Sequence, residues 1–350
     1  MPPNNDTQVD SLLGPVDTEV ERSCPLAALP DEHCKSDNNN TPPKPTTYQP
    51  KIIWSNVVFI SLFHLVALYT FLFKFLLFRF HILSVLWGFF IGGVSGFGVT
   101  GGVHRLWAHR AYKAKWPLKV ILLACYSVAG QNTVFDWVRD HRVHHKFSET
   151  DADPHNSNRG FFFAHVGWLM QKKHPEVLRR GMQVDMSDIL QDPLISFHTR
   201  HFTIIKLLLC FVFPILVPVY CWGETWTNSI LGMSFLRYML GLNFTWLVNS
   251  AAHIYGYKPY DKRIRPAQNL TVSIVAMGEG WHNYHHVFPW DYKAAELGNY
   301  KFNLTTALID MFAKIGWAYD LKSASPSLVS TMVSKHGDGS YEDHGHIHQH

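Results

Sequence analysis

The chain has 350 residues, 47% of them hydrophobic and 17% charged, with a formal net charge of +4. This length suits one sizeable unit, and the weak positive charge is not gathered into a stripe, which argues against a nucleic-acid partner. The five cysteines form no CxxC pair and no regular spacing, so reduced thiols are expected rather than a disulfide framework.

The first 50 residues are rich in Pro, Asn, Asp and Thr. They contain no positive segment followed by an apolar stretch, so they are predicted to be a disordered tail and not a signal peptide. The folded domain is therefore expected to begin at residue 51.

Four apolar runs follow this tail, at Trp54–Phe78, Ile82–Val103, Phe202–Trp222 and Leu231–Ala251. Each reaches the roughly 20 residues that a helix needs to cross a bilayer. One such run could be a buried core helix, but four of them favour an all-α integral membrane protein. Two hairpins would place both termini and the long middle segment on one side, and the Lys and Arg residues beside the first two runs favour the cytosol.

Many of the 22 histidines are grouped in the chain. In two of the groups a histidine is followed three and four residues later by two more, which places the side chains on one helix face about 5 to 6 Å apart. Imidazole nitrogens suit iron, zinc and copper. The three clusters are His104 and His109; His141, His144 and His145; and His282, His285 and His286.

A further candidate lies at the end of the last apolar run, where Asn249 and His253 are one helical turn apart. Eight or nine histidines suit a pair of metal ions, whereas a zinc hydrolase needs only three or four ligands. Ligand type alone does not separate iron from zinc, but the number of histidines favours two redox-active irons. The isolated histidines are not predicted to be ligands; they are His155, His165, His174 and His198.

From Trp54 to Lys322 the sequence resembles the animal acyl-CoA desaturase family, of the stearoyl-CoA desaturase type, and most closely its insect delta-9 and delta-11 branch. The supporting strings are HRLWAHRAYKAKWPL from His104, DHRVHHKFSETDADPHN from Asp140, RGFFFAHVGWL from Arg159, TWLVNSAAH from Thr245 and GEGWHNYHHVFPWDY from Gly278. The resemblance implies a membrane desaturase domain over residues 51–322 and leaves residues 323–350 as a flexible C-terminal tail.

The same resemblance implies two iron ions (Fe²⁺) held by nine histidines. One iron would be bound by His104, His109, His141, His145 and His285, and the other by His144, His253, His282 and His286. Asn249 would reach the second iron through a water molecule.

The implied fold is a cytosolic helical cap over four transmembrane helices in the endoplasmic reticulum membrane, with the di-iron histidine-box site in the cap. A fatty acyl-CoA would thread its chain past the irons, and O₂ with two electrons would leave a cis double bond and water. The chain lacks the His-Pro-Gly-Gly haem motif, so electrons are expected from a separate cytochrome b5 and its NADH-dependent reductase.

The resemblance also implies a binding site for the coenzyme A head group, with Trp246 beside the acyl tunnel. Lys172 stands where relatives commonly carry Arg, which keeps the charge but loses a bidentate phosphate contact. Arg139 and Asp140 could instead form a structural ion pair, and the two lysines a solvated or lipid-facing pair. The head-group residues are Asn56, Asn132, Arg139, Asp140, Lys172 and Lys173.

Gly92 and Gly96 fall on the helix that closes the far end of the tunnel in relatives, where larger residues are common. Less bulk predicts a deeper pocket for longer acyl chains, although small residues four apart also serve close helix packing. The string from Arg265 to Gln268 has a counterpart in moth delta-11 enzymes, so delta-9 is the expected double-bond position with delta-11 as the alternative.

Three other functions could also use clustered histidines in a membrane protein. A hydroxylase or a sphingolipid desaturase could use the same histidine clusters, but the long acyl-CoA desaturase strings argue against both. A membrane metal transporter would place its ligands inside the spans along a path, whereas these clusters lie in polar segments that follow the spans.

Overall fold

The computed structural model describes residues 48–296 and 302–341. All the elements below belong to one compact unit. The tail predicted at residues 1–50 lies outside the described residues except for its last three. The protein is mostly helical, with one two-stranded sheet in the described part.

The helices in chain order are α1 (Trp54–Phe75), α2 (Ile82–Ala108), α3 (Trp116–Ala129), α4 (Val134–Phe147), α5 (Phe161–His165), α6 (Pro175–Gly181), α7 (Ser187–Leu190), α8 (Pro193–Arg200), α9 (Phe202–Trp222), α10 (226–249), α11 (Ala251–Ile254), α12 (Leu270–Val275), α13 (His282–Val287), α14 (Leu304–Lys314) and α15 (Pro326–His336). Short 3-10 turns lie at Ser157–Arg159 and Gly167–Met170, and the strands are β1 (Lys113–Ala114) and β2 (Ala318–Tyr319).

Three of these helices, α1, α2 and α9, are long and apolar enough to cross a membrane. Their outward faces carry exposed large apolar side chains such as Phe59, Leu62 and Phe89. A continuous apolar surface of this kind is unfavourable in water and is stabilised by lipid. The chain is therefore a multi-pass membrane protein, as predicted.

The fourth predicted span, Leu231–Ala251, differs from the prediction in its polarity. It forms the continuous helix α10 at residues 226–249, but it is less apolar than α1, α2 and α9. The helices α3 and α4 are apolar enough to cross a membrane only when they are taken together, and they meet at an angle of 86°. Arg237, inside α10, donates hydrogen bonds to the carbonyls of Val128, Cys210 and Met233. Since protein surrounds its polar groups, α10 does not need an all-apolar surface.

Close packing between α2 and α3 sets the direction of the polar segment that follows. A Cβ atom on Gly98 would lie 2.1 Å from the backbone nitrogen of Tyr126, so only glycine allows this contact. Gly130 ends α3 in the left-handed conformation, with φ of 62°. Thr133 then caps α4 by accepting a 3.1 Å hydrogen bond from the Asp136 backbone.

The C-terminal part of the chain returns to the segment after α2. Lys113 pairs with Tyr319 and Ala114 with Ala318 across the small antiparallel sheet. The largest apolar core in the described part of the chain includes Val103, Leu118 and Ile309. It is formed by the last 11 residues of α2 together with α3, α4 and α14. Val103 and Val138 of this core lie on the helices that carry His104 and His141, so the core fixes where these histidines lie.

The structure also differs from the flexible tail predicted at residues 323–350. Ser325 caps α15 by accepting a hydrogen bond from the Leu328 backbone, and Pro326 follows at the first helical position. Val329 of α15 is buried against Tyr260 and Phe288. Burial of this apolar face explains an ordered helix where composition indicated a tail, while residues 342–350 lie outside the described part.

The cysteine prediction can be checked at three positions. Cys125, Cys210 and Cys221 are free thiols, whereas Cys24 and Cys34 lie outside the described residues. Cys210 is fully buried in α9, which is consistent with a structural role.

Candidate metal centre

The three histidine clusters converge although they are far apart in the chain. His104 lies on a wide helical turn that forms the last 11 residues of α2, and turns of this kind are frequent at functional sites. The cluster from His141 lies on α4, His253 on α11, and the cluster from His282 on α13. Four separate segments thus deliver imidazoles to one place.

The first set, called here the five-histidine group, has all its ligand atoms within 4.8 Å of one another. The Nε2 atoms of His104 and His285 are 3.0 Å apart, and those of His109 and His141 are 2.8 Å apart. The Nε2 atom of His285 also lies 3.1 Å from that of His145. The members are His104, His109, His141, His145 and His285.

The second set, called here the four-histidine group, consists of His144, His253, His282 and His286. The Nε2 atom of His282 lies 2.9 Å from that of His253 and 3.1 Å from that of His286. The rings of His145 and His286 stack with their centroids 4.1 Å apart, which joins this group to the five-histidine group.

These nitrogen spacings fit metal coordination. His282 and His285 each point one Nε2 atom at two other Nε2 atoms, which a hydrogen-bond network of neutral imidazoles satisfies poorly. A first-row metal with bonds of about 2.1 Å would place neighbouring nitrogens roughly 3 Å apart. The two groups can therefore hold one metal ion each.

Burial favours the neutral form in most of the clustered histidines, whereas in His144 the contact with Asp153 outweighs burial and raises the pKa. Burial lowers the pKa of His253, His282, His285 and His286 well below the ordinary value, and the neighbouring imidazoles lower it further. A neutral imidazole keeps the lone pair that a metal binds.

Three carboxylates that were not predicted from the sequence contact the Nδ1 atoms of histidines in the two groups. Glu279 lies 2.9 Å from Nδ1 of His104. Asp153 lies 2.8 Å from Nδ1 of His144, and Glu149 lies 2.7 Å from Nδ1 of His253. A carboxylate at Nδ1 fixes the tautomer that leaves Nε2 free for a metal. The only sequence signal for them was acidic residues close to the clusters.

Glu279 is itself paired with a buried cation. Arg105 donates to its Oε1 atom from Nε at 3.0 Å and from Nη2 at 2.8 Å. Burial alone would raise the pKa of Glu279, but the Arg105 charge outweighs it and lowers the pKa to about 2. The carboxylate is therefore ionised at neutral pH.

A cavity of about 470 Å³ begins at His104 and His141 and follows α2 toward Ser84 and Phe75. Its walls are almost entirely apolar, and α10 forms the facing side. Asn249 lies on this wall, four residues before His253 in the chain. Its water-mediated role stays a prediction.

The two glycines predicted to deepen the tunnel both line this cavity, but their surroundings differ. A Cβ atom on Gly92 would meet no atom within 4 Å, so a side chain there would enter open space. A Cβ atom on Gly96 would come 2.5 Å from Sδ of Met277. Gly92 therefore fits the deep-pocket interpretation, and Gly96 fits close packing.

Three hydrogen-bonded polar side chains line the cavity in the region of His141. Trp137 donates a 2.9 Å hydrogen bond to Gln131, whose amide donates to Thr245 at 3.1 Å. All three residues line the cavity. This bridge links α4 to α10 beside His141.

The predicted head-group residues lie partly together. Arg139 contacts Asp140 at 3.1 Å, and Lys173 also pairs with Asp140, so the structural ion pair weighed above does exist. Lys172 is exposed beside them.

The other three predicted substrate residues have different surroundings. Asn56 donates to the Leu169 carbonyl at 2.8 Å, and the carbonyl of Asn132 accepts from Tyr126 at 2.6 Å. Trp246 is buried between the rings of His64 and His165 rather than on the cavity wall.

Comparison with known proteins gives a consistent result. The family model described as fatty acid desaturase matches residues 80–295. An acyl-CoA Delta-9 desaturase of Acheta domesticus is 52% identical over 332 residues, which cover 94% of this chain and 88% of that protein. An acyl-CoA Delta12-desaturase of the same organism is 53% identical, covering 84% and 82%. An acyl-CoA Delta(11) desaturase of Spodoptera littoralis is 53% identical, covering 83% and 85%.

Proposed function

The chain belongs to the fatty acid desaturase family and is an acyl-CoA desaturase, and we propose that it introduces a cis double bond at delta-9 of a saturated fatty acyl-CoA. The observation that carries the proposal is the convergence of two histidine groups at the end of one apolar cavity. The acyl-CoA Delta-9 desaturase of Acheta domesticus matches 94% of this chain. Delta-11 is the alternative, and relatives of similar identity differ in this property.

The proposed cofactor is a pair of iron ions, one in each histidine group, with Asn249 beside the four-histidine group. Iron would supply the activation of O₂ that breaking unactivated C–H bonds requires, which redox-inert zinc cannot supply. The remaining contribution of the chain is to bind and orient the substrate and to keep water out of the site.

The cavity would hold the acyl chain with two neighbouring methylenes at the His104 and His141 wall. Apolar walls exclude water and bury the chain beyond the reacting carbons. The bridge from Trp137 through Gln131 to Thr245 fixes the wall at this point, which selects the methylenes that stop beside the metals.

The coenzyme A head group would bind near Arg139, Lys172 and Lys173, where cations can contact its phosphates. Asp140 pairs with Arg139 and Lys173 in the free protein. Asp140 would orient these two cations toward the phosphates. Asn56 and Asn132 are proposed to contact the head group as well, and Trp246 is proposed to lie beside the acyl tunnel.

The reaction consumes O₂, two electrons and two protons and yields the alkene and two waters. We propose that the electrons come from a separate cytochrome b5 and its NADH-dependent reductase. The site and both termini would then face the cytosol from the endoplasmic reticulum membrane, where all these partners meet.

The test is expression in a yeast that lacks its own acyl-CoA desaturase, followed by mass spectrometry of fatty acids derivatised to locate double bonds. We expect new cis monoenes that are lost in His144→Ala and kept in His201→Ala, a histidine beside Phe197 outside both groups. Hydroxylated products would favour the hydroxylase alternative, and unsaturated sphingoid bases the sphingolipid desaturase. An iron-loaded protein that forms no product would contradict the proposal.

A further inference from the structure

The two histidine groups have different electrostatic surroundings. Among the described residues, the five-histidine group contacts one carboxylate, that of Glu279, and the other oxygen of Glu279 is paired with Arg105. Both side chains are buried, with exposed fractions of 5% and 1%. The negative and positive charges cancel, so the surroundings of this group are close to neutral.

The four-histidine group contacts two carboxylates, and neither forms an ion pair with Lys or Arg in the described part of the chain. Asp153 accepts from the backbone nitrogens of Glu149 and His155, both at 2.9 Å, in addition to its contact with His144. Glu149 contacts His253 at 2.7 Å and Ser157 at 3.3 Å. Arg265 acts on Glu149 only from a distance and does not form an ion pair with it. The surroundings of this group therefore carry more net negative charge than those of the five-histidine group.

This difference matters because both carboxylates lie one imidazole ring away from where a metal would bind. In a buried site of low effective dielectric, two carboxylates without an ion-pair partner stabilise a divalent ion more than one carboxylate whose charge Arg105 cancels. Each carboxylate also makes its imidazole a stronger ligand, and losing such a partner typically costs about 10- to 100-fold in metal affinity.

We propose that Glu149 and Asp153 are positioning residues that make the four-histidine group the tighter of two inequivalent metal sites. The inference rests on the proposed function, since it needs both groups to hold metal. It predicts that the two metal ions leave the protein in two separate steps, first from the five-histidine group and then from the four-histidine group.

The experiment uses the full chain, purified in detergent and loaded anaerobically with Fe²⁺, and follows release into a coloured ferrous chelator. We expect two phases of one iron each. His109→Ala should abolish the fast phase and keep the slow one, which assigns the phases. Glu149→Gln and Asp153→Asn should each accelerate the slow phase about 10- to 100-fold and leave the fast phase unchanged.

The matched control is Glu176→Gln, which removes the same charge from an exposed ion pair with Arg179. It should change neither phase, and Glu149→Asp, which restores the charge, should recover part of the slow phase. Release of both irons in one step, or acceleration of the fast phase by Glu149→Gln, would overturn the inequivalence. A chain that takes up no iron at all would instead contradict the metal centre itself.

Discussion

The carboxylate of Glu279 lies 2.9 Å from Nδ1 of His104 while its second oxygen accepts two hydrogen bonds from Arg105, the next residue in the chain. Arg105 also donates to the Tyr292 carbonyl and to Thr306, both at 2.9 Å. Glu279 therefore links His104 to Arg105, and Arg105 links both of them to the segment after α13 and to α14.

Replacement of Glu279 by Gln should damage both stability and metal binding. It leaves the buried Arg105 without its counter-ion, which typically costs about 3 to 5 kcal/mol, and it weakens the hold on His104. We expect a clear fall in the melting temperature of the detergent-purified protein and less than two irons per chain. Thermal unfolding and elemental analysis measure these. Unchanged iron content would show that His104 does not depend on Glu279 for its orientation.

Replacement of Gly92 by Phe should shorten the acyl chains that the protein accepts. The new side chain would enter the cavity, since no atom lies within 4 Å of a Cβ at this position. Each methylene excluded from an apolar pocket costs about 0.8 kcal/mol, so exclusion of two methylenes changes preference by roughly tenfold. Product chain lengths in the desaturase-deficient yeast give the ratio of C16 to C18 monoenes.

The control for Gly92→Phe is Leu86→Phe on the same helix, where the side chain is 57% exposed on the outer face. This variant should leave the chain-length ratio unchanged. If both variants lower total product equally and neither alters the ratio, the cavity along α2 does not hold the methyl end of the substrate.

The histidine clusters could be recognised in the sequence because their spacing on α4 and α13 is local. Their supporting carboxylates could not, since Glu149 and His253 are 104 residues apart and Arg105 and Glu279 are 174 apart. Such pairs depend on how segments meet in space, which no local pattern encodes.

The membrane spans illustrate the same limit from another side. Hydropathy identified α1, α2 and α9, which face lipid, with bounds that differ from the predicted ones by a few residues. It could not anticipate how α10 satisfies Arg237, nor that the polar segment after residue 323 would form α15, because both depend on tertiary contacts.

Replacement of Arg237 by Met should destabilise the protein more than replacement by Lys. The guanidinium donates to the carbonyls of Val128, Cys210 and Met233, and each buried carbonyl left without a partner costs about 1 to 3 kcal/mol. Lys keeps the charge and can reach one of these carbonyls, so its melting temperature should be intermediate. Thermal unfolding in detergent measures all three proteins. Equal melting temperatures would mean that water or detergent satisfies the carbonyls.

His198 should make the stability of the protein fall in mild acid. Burial lowers the pKa of His198 to about 4, and its Nε2 atom lies 2.9 Å from the Ser127 hydroxyl. Because its pKa in the unfolded chain is about 6.5, the unfolded state takes up a proton first as the pH falls. The contribution of neutral His198 is therefore complete above about pH 6.5 and is lost progressively toward pH 4.

The measurement is the melting temperature at pH 7 and at pH 5 for the wild-type protein and for His198→Gln, which keeps a hydrogen bond to Ser127 but does not titrate. The carboxylates of the protein titrate equally in both, so the difference between the two pH-dependent losses isolates His198. We expect the variant to lose fewer degrees than the wild type between pH 7 and pH 5. Identical losses would show that His198 is protonated in the folded state without cost, and that its burial does not oppose its charge.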